Sequence, residues 1–237
     1  MNQQKINFFT YISHDLKTPL TLILSPLQRL IQQPQISNND KEKLEVIYRN
    51  ANRMNYLINE LLTFSKIEMK QMHISVRKGD IMHFLEELSH IFDIVAGERE
   101  IDFIVSLEDT KEEVWFSPSK LERILYNLLS NAFKYTQPGG YVRLSAKLIK
   151  EEKETMVQIS VKDSGRGIPK DVQEQIFESY YQVEKRDHRE GFGLGLSLTR
   201  SLIHMHKGEI RVESEVNKGS DFIVTLNVSE DAYAPDE

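Results

Sequence analysis

The chain has 237 residues, 40% hydrophobic and 28% charged, the make-up of an ordinary globular protein, which excludes collagen-like, low-complexity and disordered classes. It has no cysteine, so disulfide frameworks, thiolate zinc sites, iron–sulfur ligation and a cysteine nucleophile are excluded, and a reducing, cytoplasmic compartment is the expectation. Net charge is −6, unevenly spread: nine Lys and Arg face six Asp and Glu up to Met72, and 21 face 30 beyond it, so the larger, acidic part is a poor nucleic-acid surface.

The length suits two domains or one large one. No apolar run approaches the roughly 18 residues of a membrane span, and Met1 to Lys5 lack the shape of a secretory signal, so no direct membrane contact is expected. All eleven glycines lie at or after Gly79, which suits a helical first part, since glycine is costly inside helices. There Phe9, Ile12, Leu16, Leu20, Ile23, Leu27 and Leu30 recur at spacings of three and four. After a break at Pro34 to Asp40, so do Leu44, Ile47, Ala51, Met54, Ile58 and Leu61. The pattern predicts two long helices in a hairpin. A seam this long favours a four-helix bundle formed by two chains, with a two-helix arm packed on the second part as the alternative.

From His73 the period changes. Strands are predicted at Ile101 to Leu107, Tyr141 to Ile149, Met156 to Lys162, Glu209 to Val216 and Phe222 to Val228, with helices near 80–96, 118–135, 170–178 and 194–206. This mixture predicts a two-layer α/β sandwich with a mixed sheet, with residues 73–80 as a linker.

Four constellations carry chemistry. In Ser13-His14-Asp15-Leu16-Lys17-Thr18-Pro19, His14 lies off the apolar stripe, Asp15 can orient the ring or take its proton, and Thr18 is one turn further on; Pro19 predicts a bend. Taken alone, His14 reads equally as a surface histidine on a kinked helix. Asn127, Asn131 and Lys134, spaced four and three apart on a helix begun by Ser117-Pro118, put two amide oxygens and an ammonium on one face. That set suits Mg²⁺ and phosphate, or simply the polar side of an amphipathic helix. Asp163-Ser164-Gly165-Arg166-Gly167-Ile168 follows a strand, and its Asp can accept a hydrogen bond from an exocyclic amine such as adenine's, or cap a tight turn. Gly191-Phe192-Gly193-Leu194-Gly195-Leu196-Ser197 runs into a helix whose first N–H groups attract phosphate.

In this order these elements resemble the H, N, G1 and G2 boxes of bacterial sensor histidine kinases, and Ile176-Phe177-Glu178-Ser179-Tyr180-Tyr181 resembles the intervening F box. The resemblance covers nearly all of the chain. It implies a multi-domain α and α+β fold: a dimeric helical-hairpin four-helix bundle in residues 1–72, for dimerisation and histidine phosphotransfer, then a Bergerat-type α/β sandwich in 73–237 that binds ATP. It further implies that His14 is the phosphoacceptor, that Asp15 activates it and that Thr18 places water during dephosphorylation of the partner. Asn131 becomes the principal Mg²⁺ ligand with Asn127 nearby; Lys134 and Tyr135 become nucleotide contacts and Asp163 the adenine reader. Gly165, Gly167 and Ile168 shape that pocket, while Gly191, Gly193, Leu194, Gly195 and Leu196 belong to the hinge of an ATP lid over roughly 183–195. Lys185, Arg186, His188 and Arg189 in that lid read either as phosphate contacts or as a solvated charge run. The implied partners are a response-regulator receiver domain and a second copy of the chain, and the implied setting is the cytoplasmic part of a membrane-anchored receptor.

Departures from the pattern are Ser164 where asparagine is frequent, Tyr180 for the second phenylalanine of the F box, and Asp221 where a small residue is common, which is assigned no ligand role. Two other readings are weighed. An ATP-hydrolysing chaperone or repair-type enzyme of the same group carries a glutamate where Asn127 stands, and an amide is no general base. A non-catalytic scaffold or a phosphatase-dominant core is disfavoured by the full set of nucleotide boxes. His204 and His206 point to different sides of a helix and have no third ligand, so they read as packing or surface residues rather than a zinc site.

Overall fold

The computed structural model describes residues 19–32, 36–69, 71–152, 154–181 and 193–233. The chain divides into two compact units, residues 1–72 with 187–194, and residues 73–186 with 195–237.

In the first unit, α1 (residues 19–31) and α2 (Asn38–Glu68) are the two expected helices. α2 starts inside the polar break because Ser37 caps it, its hydroxyl accepting from Asp40 N at 3.2 Å. Leu20, Ala51 and Ile58 are buried, with Leu24 and Leu62 packed on them. Other members of the apolar stripe stay exposed: Ile23 by 49%, Ile47 by 49% and Met54 by 53%. Pro19 opens the described part of α1, and the bend expected there lies outside the described residues.

The second unit is built on a five-stranded sheet in the order β2-β4-β5-β7-β6: β2 (Asp102–Leu107), β4 (Tyr141–Lys150), β5 (Thr155–Asp163), β7 (Gly219–Asn227) and β6 (Glu209–Glu215). β2 runs parallel to β4 and every other pairing is antiparallel, so the sheet is mixed. The register aligns Leu144, Val161, Phe222 and Val212 in one row and Ala146, Ile159, Val224 and Ile210 in the next. The helices α3 (Ile81–Ser89), α4 (Ile91–Arg99), α5 (Pro118–Tyr135) and α6 (Gly195–Met205) pack on this sheet. α5 contributes Leu121, Ile124, Leu125 and Leu129, all without solvent exposure.

Three expectations are corrected. The helix near 80–96 is two helices, because the Ser89 hydroxyl donates to Glu86 O at 2.7 Å and the next bond, Asp93 N to His90 O, is of the tighter three-residue kind. The stretch 170–178 forms only two short 3₁₀ turns, Lys170–Val172 and Gln175–Phe177. The Gln173 side chain is drawn aside there, donating to Ile168 O and Ser214 O. The expected linker contains a strand, β1 (Arg77–Asp80), which pairs antiparallel with β3 (Glu113–Phe116).

Candidate nucleotide site

Asp163 ends β5, and its burial follows from strand alternation: Val157, Ile159, Val161 and Asp163 all point to the core side, so the last inward position holds a carboxyl. It is 5% exposed and lies between Val142 of β4 and Ser220 of β7 in the register. Burial pushes its carboxyl above the ordinary value, backbone N–H groups of Gly165 and Ser220 oppose that shift, and Asp221 adds to it. The Gly165 N–H donates to its Oδ1 at 2.8 Å.

The loop after Asp163 is tied at several points. Gly167 has φ +69, and a Cβ there would fall on the Glu215 carbonyl, so only glycine fits. Asn217 N donates to Arg166 O at 2.7 Å and Ile168 N to Ser214 Oγ at 2.8 Å, joining the loop to the β6–β7 hairpin. Ser164, the departure from the family pattern, accepts from Tyr141 N at 2.8 Å and so fixes the start of β4.

α5 connects this loop to α6. At its C-terminal end the Tyr135 ring has two cations near it, Arg166 with its Cζ 4.5 Å and Lys134 with its Nζ 4.7 Å from the ring centre, and Lys134 also donates to Tyr135 Oη at 3.1 Å. Further back, Asn127 bonds to Thr199 of α6 at 2.7 Å. The nine residues from Asn127 to Tyr135 span about 12 Å of helix, with half-buried Asn131 and Lys134 between the two contacts. α6 begins at Gly195, two residues after Gly193 at φ +69. Leu194 is buried and Leu196 half-buried. Among the described residues no group of three His, Asp or Glu side chains is placed to hold a metal. Asn131 offers a neutral amide oxygen, which fits a Mg²⁺ ion that arrives already carrying phosphate and water oxygens.

Asn127, Asn131, Lys134, Tyr135, Asp163, Gly165, Gly167, Ile168, Gly195 and Leu196 therefore all lie in the sheet unit, on α5, the β5 end and the start of α6. His14, Asp15, Thr18, Gly191 and most of the expected lid, including Lys185, Arg186, His188 and Arg189, lie outside the described residues.

Arg166 and Thr199 are not singled out by the sequence, whereas His206 is expected there to be a packing or surface residue. Arg166 has no sequence signal apart from its place between two glycines. Thr199 is one turn after Gly195, between buried Leu198 and Leu202. His206 is fully buried: Ser117 N donates to its Nε2 at 3.2 Å, so its Nδ1 carries the proton toward Leu202 O at 3.0 Å. Burial holds this imidazole below its ordinary pKa; the Leu202 bond opposes that and nearby Lys120 reinforces it. His206 thus secures the first turn of α5, whose Ser117 makes no side-chain cap of its own.

Two family models match the chain. Residues 116–230 match the histidine kinase-, DNA gyrase B- and HSP90-like ATPase, and residues 4–70 match the His Kinase A (phospho-acceptor) domain. The histidine kinase P4 of Formosa agariphila is 37% identical over 231 residues, which is 95% of this chain and 17% of that protein. The sensor histidine kinase WalK of Bacillus subtilis is 32% identical over 234 residues, 98% of this chain and 38% of that protein. The chain thus spans well under half the length of these curated relatives. Full-length ShkA, solved in complex with AMPPNP, shares the fold with a TM-score of 0.78 at 23% identity, covering 97% of this chain and 47% of that one.

Proposed function

Because the chain belongs to the sensor histidine kinase family, we propose that it autophosphorylates His14 from ATP and passes the phosphoryl group to an aspartate of a response-regulator receiver domain, and also removes it from that partner. The observation that carries this reading is the presence in one chain of a phospho-acceptor match that contains His14 and an ATPase match that contains Asn131, Asp163 and Gly195. Residues 1–72 form the dimerisation and phosphotransfer domain and residues 73–237 the ATP-binding domain. The exposed Ile23, Ile47 and Met54 suit a bundle completed by a second copy.

Asp163 selects the nucleotide by accepting from an exocyclic amine inside a buried site, where an unmet hydrogen bond is costly. Tyr135 and Lys134 contact the nucleotide beside it, Gly165, Gly167 and Ile168 shape the pocket, and the first N–H groups of α6, at Gly195 and Leu196, face phosphate. Asn131 holds Mg²⁺, which supplies neutralisation of phosphate oxygens when bound. A ring nitrogen of His14 attacks the γ-phosphorus, the bond to the β-phosphate oxygen breaks, and ADP leaves. Asp15 accepts the displaced ring proton, and Thr18 orients water in the reverse, dephosphorylating role. Gly191, Gly193 and Leu194 form the hinge of the lid. Among the described residues no helix is long and apolar enough to cross a membrane; the reading places this chain as the cytoplasmic part of a longer, membrane-anchored receptor.

The test is incubation with γ-labelled ATP and Mg²⁺. Acid-labile, alkali-stable label on the protein, absent in His14→Gln and in Asn131→Ala, is the expected result. Phosphate release without labelled protein would favour an ATPase instead, and failure to bind ATP would overturn the nucleotide site.

A further inference from the structure

Asn127 and Asn131 are about one helical turn apart on α5, yet their surroundings differ. Asn131 is half-buried, whereas Asn127 is 9% exposed and its amide is engaged with α6. Its Nδ2 donates to Thr199 Oγ1 at 2.7 Å, and Thr199 is 2% exposed, so the bond is sealed from water. The amide also lies beside Gly195, where a Cβ would stand 2.7 Å from its Oδ1 and 3.3 Å from the amide carbon and nitrogen. One amide is thus set against α6 across 72 residues of sequence.

The geometry points to Asn127 as a positioning residue that ties the start of α6 to α5 through Thr199, and not as a ligand of the metal. The inference rests on reading α5 and α6 as the nucleotide site. The first N–H groups of a helix are the ones left for a ligand, and here their distance from Asn131 is set by the Asn127 amide. The Asn127 amide nitrogen is committed to Thr199 and the amide as a whole lies beside Gly195, so its position is fixed by α6, whereas among the described residues no such tie holds the Asn131 amide. The same contact explains why position 195 holds glycine: any side chain would displace the amide. The difference in their surroundings comes from a threonine that only the fold brings near.

The experiment measures binding of a non-hydrolysable ATP analogue to the full chain over a range of Mg²⁺ concentrations. Thr199→Val removes the hydroxyl at constant shape and is expected to weaken binding about 3- to 10-fold, the range of one net hydrogen bond. Asn127→Ala is expected to match it, the double variant to be no weaker than either single, and Thr199→Ser to restore affinity. In all of these the Mg²⁺ dependence stays that of the wild type, whereas Asn131→Ala loses it. Asn127→Ala altering the Mg²⁺ dependence while Thr199→Val does not, or losses that multiply in the double variant, would overturn the inference and leave the nucleotide site standing. Thr199→Ala provides a second route if valine is not accommodated. A wild type that binds no analogue overturns the functional reading instead; the Asn127–Thr199 coupling is then read from unfolding of the nucleotide-free chain, where additive losses of stability refute the tie.

Discussion

The helical unit and the sheet unit treat their apolar residues in opposite ways. In the sheet unit Leu121, Ile124, Leu125, Leu144 and Val161 have no exposure, and the core is closed within one chain. In the helical unit Leu22 is 70% exposed and Met54 53%, although the apolar period there is as regular as any in the sequence. A helical period states that a face is covered without stating by what, while strand alternation in a central strand fixes both the face and the layer it meets. Among the described residues, one unit closes its core and the other leaves much of its apolar stripe exposed.

The contrast can be broken from either side. The largest effect is expected from Gly167→Ala, since φ +69 and the Glu215 carbonyl leave no room for a Cβ. The sheet unit should lose about 3 kcal/mol or more. Trp115, the single tryptophan, lies in β3 and reports that loss by fluorescence during denaturant unfolding. Met54→Asp should leave the Trp115 transition where it was but weaken self-association roughly 10- to 100-fold in sedimentation experiments, because a carboxylate would enter the shared face. An unchanged association constant would remove the exposed stripe as evidence for a dimer.

Asp163→Asn sharpens the comparison, because this carboxyl is the charged group the sheet unit buries at its own cost. Nucleotide affinity, read by calorimetry, should fall about 10- to 100-fold as a bond to a charged acceptor is lost, without loss of stability at neutral pH. The folded carboxyl titrates above its ordinary value of 3.8, so the folded chain holds this proton more tightly than the unfolded one. Stability therefore falls as pH rises from 3.8 through the raised value, and the variant should lack that decline. The smallest effect concerns His206, whose shift has the opposite sense. Its folded pKa lies below the ordinary 6.5, so stability is full above 6.5 and decreases as pH falls below it, while the unfolded chain takes up a proton the folded chain does not. One proton limits the slope to about 1.4 kcal/mol per pH unit, and His206→Asn should flatten it in Trp115-monitored unfolding.

Much of the sheet unit could be read directly. Ser117-Pro118 marked the start of α5, and alternation located all five strands of the main sheet. The β1–β3 ribbon escaped because Arg77-Lys78-Gly79-Asp80 is polar and too short for a period to develop. The break at His90 turned on one serine hydroxyl competing for a carbonyl, which no window average detects. Within the candidate site, the residues carried by the boxes lie on α5, the end of β5 and the start of α6. What could not be read was the environment of each: that Asp163 is buried, that His206 supports Ser117, and that Asn127 faces Thr199 all depend on contacts between segments distant in the chain.

The strand order has a consequence for how the molecule is made. β7, the last strand in sequence, lies inside the sheet between β5 and β6, and its register joins Met156 to Asn227 and Glu209 to Thr225. A chain still emerging from the ribosome can form the helical hairpin from near neighbours, but β6 has no partner until residues 219–227 have been synthesised. The Asp163 side chain likewise lacks its Ser220 neighbour until then. On the functional reading above, nucleotide binding therefore depends on residues 219–227, and a stop codon placed just before β7 is expected to remove it even though every residue expected to touch ATP precedes that strand.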